Sequence, residues 1–280
     1  IFYFIWQSHD VLTSILKSTD SYFIGFALIA RIASHFSHTI TSTYILKSIN
    51  IEIPYRTLLK IHITRLPARY IPGGIWHTVG RMLDFHTLGI KPAKLSFFIL
   101  LENIVAAAIA FLLSGIILWF YHGIDDYWGK ISSLAFIASV LGLTLIPIVI
   151  NWRKKQINIF YIYTLIAYIP LWFLLTLSFL MYTSAFPIIL QGATIVEISG
   201  IYMFSWGIGF LAIFAPQGIG IFELIAGKML TTTISLGSIA VLLMGYRIIT
   251  IFADLLLWAG MRLVLALITN YRNRISKRIG

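Results

Sequence analysis

The chain has 280 residues, of which 59% are hydrophobic and only 11% charged, and its mean hydropathy is +0.90. Soluble domains carry about 25% charged residues, so this composition excludes one and points to a polytopic membrane protein. With no cysteine there is no disulfide, thiol nucleophile or thiolate metal ligand, and the formal charge of +11 suits anionic membrane lipids rather than nucleic acid in a chain this apolar.

Ile1 to Trp6 reads as the end of a hydrophobic segment that a further transmembrane helix could precede, and Gln7 to Ser21 as a polar connection. Tyr22 to Tyr44 is the first spanning candidate. It carries Arg31, Ser34, His35, Ser37, His38 and Thr39, so one side must face protein or water. His35 and His38 have a spacing that suits a metal, but no third ligand lies nearby, and hydrogen bonding on a polar helix face is the expected role. Neither a metal nor a cofactor is expected.

Lys47 to Arg69 alternates Arg56, Lys60, Arg65 and Arg69 with leucine and isoleucine, as a helix rising from a headgroup region does. Arg56 and Lys60 are read as snorkelling to lipid phosphates, and Arg65 and Arg69, beside the next break, as candidates for a basic pocket. Tyr70 to Arg81 contains that break, Pro72-Gly73-Gly74, followed by Trp76, His77 and Arg81. Leu95 to Tyr121 is long enough to cross, since about 20 helical residues span the hydrocarbon. Glu102-Asn103 lies inside it, where an unpaired carboxylate is costly.

His122 to Lys130 is a short loop, Ile131 to Ile150 crosses back, and Trp152 to Lys155 forms a basic loop. Asn158 to Tyr182 crosses again, with a kink expected at Pro170. The second break, Pro216-Gln217-Gly218-Ile219-Gly220, stands between apolar segments and is followed a turn later by Glu223. A helix is expected to stop near Ala215 and another to begin near Ile219. Ser235 to Ile268 is one long apolar segment carrying Arg247, Asp254 and Arg262, and Tyr271 to Gly280 is a basic tail. Arg247 and Asp254 share a face about 10 Å apart along the axis, too far to pair, so each is expected to find a partner on another helix.

Pro72 and Pro216 lie about half a chain apart, each followed by glycines, isoleucine and a charge. Interrupted segments at matching places predict one integral membrane domain over residues 1–280, with pseudo-repeat halves at 22–150 and 158–270. The fold class expected is an all-α helical bundle with two re-entrant, oppositely oriented broken-helix hairpins. The bias of lysine and arginine supports this, because the basic loops and the basic tail reach the cytoplasmic face together only if each hairpin returns to the side it left.

Leu66 to Arg81, Glu102, the block from Pro216 to Glu223 and Arg247 together resemble the membrane region of the lysylphosphatidylglycerol synthase family, a flippase-like integral membrane domain. Asn103 stands where family members often carry arginine, and Gln217 replaces a small residue. With only a short basic tail after the last apolar segment, the resemblance expected is to the stand-alone members rather than to those with a soluble aminoacyl-transferase domain. It implies movement of a phospholipid or polyprenyl-linked lipid between leaflets, in an expected prokaryotic cytoplasmic (inner) membrane, and the bias of lysine and arginine places the C-terminus on the cytoplasmic side.

The expected substrate site comprises Arg65, Arg69, Pro72, Gly73, Gly74, Trp76, His77, Arg81, Pro216, Gly218, Gly220 and Glu223, with Glu102, Arg247 and Asp254 as a charge network and no catalytic residue. Helix N-termini after each break offer N–H groups to a phosphate, Arg81 adds charge-assisted bonds, and Glu223 opposes the cations. Two alternatives stand beside this. One is a membrane-embedded transferase or hydrolase using His77, Asp84 or Glu223 as acid or base. The other is an accessory subunit of a lipid- or glycan-synthesis enzyme; a homo-oligomer is a further possible assembly.

Overall fold

A computed structural model describes residues 19–71, 75–150, 159–190, 193–212, 215–230 and 235–279, with side chains at 149, 150, 189, 190, 216 and 272–279 excepted. Pro72, Gly73 and Gly74 therefore lie outside the described residues, as does the basic loop at Trp152 to Lys155. The described residues form helices and no strand: α1 (Ser21–Ser48), α2 (Tyr55–Thr64), α3 (Trp76–Thr87), α4 (Pro92–His122), α5 (Tyr127–Ile150), α6 (Ile159–Ser184), α7 (Ile195–Leu211), α8 (Ile221–Met229) and α9 (Leu236–Ile279). Short 3₁₀ turns stand at Leu66–Tyr70, Pro187–Leu190 and Pro216–Gly218. α1, α4, α5, α6 and α9 are long and apolar enough to cross a membrane. The chain is an all-α membrane protein.

The helix starts follow local chemistry. Asp20 accepts the Tyr22 N–H at 3.0 Å, Asp126 accepts that of Trp128 at 2.8 Å, and Thr194 and Glu197 exchange bonds in a capping box at the start of α7. Pro54 and Pro92 open α2 and α4, where a missing N–H costs nothing. The basic amphipathic stretch expected over Lys47 to Arg69 is thereby divided into the end of α1, the ten-residue α2 and a 3₁₀ turn containing Pro67. Pro170 sits inside α6, which continues through it.

Neighbouring long helices run antiparallel. Ser178 bonds the Ala27 carbonyl at 2.7 Å while the Tyr44 and Tyr163 rings meet at 5.6 Å, so α1 and α6 lie head to tail along most of their length. Phe111 packs edge-on to Phe204 and His122 approaches Glu197, which sets α4 against α7. Tyr182 bonds the Leu242 carbonyl and Tyr246 bonds Ser178, which sets α6 against α9. Phe179, Tyr182, Tyr202, Phe222 and Tyr246 form one aromatic cluster where α6, α7, α8 and α9 converge.

At the second break α7 ends at Leu211 and α8 turns back along it. Gln217 and Gly218 both take left-handed backbone, φ 51° and φ 67°. Gly218 presses on the preceding helix: a Cβ there would lie 2.7 Å from the Gly209 carbonyl oxygen. Gly220 also has positive φ, 85°, but open space around its missing Cβ. Gly218→Ala is expected to lower stability by roughly 2–3 kcal/mol and Gly220→Ala by about 1 kcal/mol, read as thermal unfolding in detergent; equal losses would contradict the tight turn.

Candidate functional site

α3 follows the first break and presents His77, Gly80 and Asp84 on one face to the end of α2. His77 stands edge-on to His62 at 6.0 Å, and Arg65, at the C-terminus of α2, donates two hydrogen bonds to Asp84 across Gly80. The same buried stripe of α3, one and two turns on from His77, carries Arg81 and Phe85 inward. Arg81 donates to both carboxylate oxygens of Glu102 on α4, at 2.6 and 3.0 Å, over the Phe85 and Phe98 rings. Ser42 of α1 adds a third donor to Glu102, and Asn103 turns away to the Ile99 carbonyl. The cation facing Glu102 thus comes from α3, not from the neighbouring position on α4.

A second carboxylate, Asp254 on α9, is fully buried. Tyr70 donates to it at 2.9 Å, His35 Nε2 lies 2.8 Å away, and Arg69 and Arg31 stand at 3.5 and 3.8 Å. Between the two carboxylates sit the histidines of α1, α2 and α3. His35 Nδ1 is 3.0 Å from His62 Nε2, His38 stacks on His62 at 4.6 Å, and His38 Nε2 is 3.9 Å from Glu102. Sequence reasoning singled out His35, His38 and His77 but missed His62, which sits in a run that reads as an interfacial helix. Its signal was the return of histidine in the segment just before a break. No group of three or more metal-ligating side chains suited to a metal ion occurs among the described residues.

The second break closes on itself. Glu223 accepts the Gly220 N–H at 2.7 Å and a bond from Arg247 Nε, while Arg247 Nη1 reaches the Gln217 carbonyl at 3.1 Å. This corrects two expectations. The carboxylate facing Arg81 is Glu102, since Glu223 is held by Arg247, and at the start of α8 the Gly220 N–H is taken by Glu223 rather than left to a ligand. Arg247 and Asp254 have separate partners, as their spacing requires. Pro216 opens the turn and Gly218 seats it on α7. Gln217 then joins the two breaks by donating to the Arg69 carbonyl.

His77, Asp84 and Glu223, the acid–base trio of the enzyme alternative, are engaged separately by His62, Arg65 and Arg247. Trp76 is half exposed on the outside of α3. A cavity of about 350 Å³ lies elsewhere, lined by Trp128, Phe204, Ile208 and Lys228 and apart from the charged cluster. No model of a known protein family matches the chain, and no curated protein matches it.

The Arg81–Glu102 pair has a direct consequence. Arg81→Ala leaves a carboxylate buried with reduced compensation and is expected to cost about 3–5 kcal/mol, whereas Arg81→Met with Glu102→Gln regains most of it. Thermal unfolding in detergent checks this: a double variant no more stable than Arg81→Ala would contradict the pair.

Proposed function

We propose that the chain is a lipid translocator that moves a lipid with an anionic or phosphate-containing headgroup between leaflets, as a relative of the lysylphosphatidylglycerol synthase membrane region. The observation that carries this reading is a charge imbalance inside the bundle. Arg31, Arg69 and Arg81 surround Asp254 and Glu102. The remaining cations beside the breaks, Arg65 and Arg247, are neutralised by Asp84 and Glu223. With the histidines neutral, the cluster holds, among the described residues, one guanidinium more than it has carboxylates. An uncompensated charge at membrane depth is costly, and an anionic ligand relieves it. Arg31 and Arg69 keep 16% and 24% of their side chains accessible, so a headgroup can reach them, while Arg81 is sealed at 7%. Trp76, exposed beside the first break, suits an acyl or isoprenoid chain.

The architecture proposed for this task is an inverted repeat that matches α1 with α6, α2 with α7, α3 with α8 and α4 with α9. The packing supports it: α3 lies on α4 as α8 lies on α9, and α4 lies on α7 as α9 lies on α2. The short helix after each break is tied to the next long helix by an ion pair, Arg81 to Glu102 and Glu223 to Arg247, with reversed polarity. Three crossings, α1, α4 and α5, precede α6, so the second half enters from the face opposite to the first. Each broken segment then begins and ends on one face. The face carrying Lys47, Arg56, Lys60, Lys91 and Lys94 is read as cytoplasmic, and α9 ends there.

Arg69→Ala is expected to slow leaflet-to-leaflet transfer of a labelled anionic phospholipid in proteoliposomes by about 10- to 100-fold, the worth of a charge-assisted hydrogen bond. Arg56→Ala, on an exposed position of α2, is expected to leave it unchanged. Equal rates for the two variants at matched amounts of folded protein would contradict the reading.

A further inference from the structure

The buried Asp254, His35 and His62 form a line of atoms whose lone pairs cannot be satisfied without a fixed order of protons. His35 Nε2 and Asp254 Oδ1 lie 2.8 Å apart in an ion-pair contact, and among the described residues neither atom makes a hydrogen bond. A bare nitrogen there would set two lone pairs against each other, so the proton sits on His35 Nε2. His35 Nδ1 must then accept, and His62 Nε2, 3.0 Å away, must donate. This leaves His62 Nδ1 as a buried acceptor with no hydrogen-bond partner among the described residues. The line ends in an empty proton position.

Resting on the anionic-headgroup reading above, we infer that this line is a proton-binding relay, and that a proton passed along it to Asp254 frees Arg31 and Arg69 to bind the anion. The transfer balances: an N–H forms at His62 Nδ1, the His62 Nε2 proton moves to His35 Nδ1, and the His35 Nε2 proton moves to Asp254 Oδ1. Both imidazoles return neutral in the opposite tautomer, and the carboxylate becomes a carboxylic acid. Asp254 is the carboxylate shared by Arg31 and Arg69, so its neutralisation leaves both guanidiniums without a counter-ion. An arriving phosphate replaces it.

The surroundings act in the same direction. Around the relay, α1 contributes Arg31 and His38, the 3₁₀ turn Arg69 and Tyr70, α3 His77 and Arg81, and α4 Glu102. Tyr202 of α7 and Tyr246 of α9 lie near Arg31, and Tyr168 of α6 bonds the Glu102 backbone. The three arginines oppose an added proton on their own, and an anion beside them favours it. Proton and anion therefore bind together, each raising the affinity of the other by the same factor.

The test uses the purified chain in weakly buffered neutral detergent with a pH-indicator dye, titrated with short-chain phosphatidylglycerol and, separately, with inorganic phosphate. The wild type is expected to take up about one proton per bound anion, with either anion if the phosphate group alone suffices and with the lipid only if the acyl chains are needed. His62→Gln is expected to bind without uptake. Asp254→Asn, a fixed mimic of the protonated acid, is expected to bind with an affinity that no longer falls as pH rises. Wild-type binding without proton uptake, or uptake that persists in both variants, overturns the relay and leaves the headgroup reading standing; absence of binding to either anion overturns both. Nitrogen-15 NMR of the ligand-free protein decides the relay independently. Protons on Nε2 of both His35 and His62 are expected, and an Nδ1 proton on either ring overturns it.

Discussion

The cost of holding an ion away from water governs this molecule. In a bundle whose long helices face hydrocarbon, a carboxylate or guanidinium persists only where the protein supplies its counter-ion and its hydrogen bonds. Glu102 illustrates the solution, with two bonds from Arg81 and one from Ser42 under an aromatic lid. Glu223 repeats it with Arg247 and the Gly220 N–H. Each pair fastens a short helix to a long one, so the positions of α3 and α8 are set by electrostatics that lipid cannot imitate.

These fastenings station the other polar side chains of the cluster. Because α3 is held on α4, it also brings His77 and Asp84 to the end of α2, and α2 places His62 against His35 and His38 of α1. Because α8 is held on α9, the turn at Pro216–Gly218 projects Gln217 onto the Arg69 carbonyl. Arg69 is thereby stationed beside Asp254, a residue remote in sequence from either break. The cluster is assembled from elements far apart in the chain, α1 to α4 on one side and α9 on the other.

Much of this was legible in the residues. Composition gave the membrane class, and the Pro-Gly clusters marked the second helix break close to where it lies. The impossibility of an Arg247–Asp254 pair followed from helical rise alone. Partner choice was not legible. Glu223 and Arg81 attract each other in any one-dimensional reading, but Glu223 at the third position of α8 reaches its own helix start and then Arg247, while Arg81 is taken by Glu102 of α4. His62 was hidden by its neighbours, since a basic amphipathic stretch reads as interfacial until its helix is seen to pack inward.

Central to the translocator reading are two broken segments that enter the bundle from opposite faces and meet at the charged cluster. The chain has no cysteine, so single cysteines can report the face of each end without background. Glu52→Cys and Lys91→Cys flank the first broken segment, and Ile195→Cys and Leu236→Cys flank the second. With a membrane-impermeant thiol reagent applied to sealed oriented vesicles, the first two are expected to react from one side and the last two from the other. Reaction of the two ends of either segment from opposite sides would make that segment a full crossing and contradict the inverted repeat.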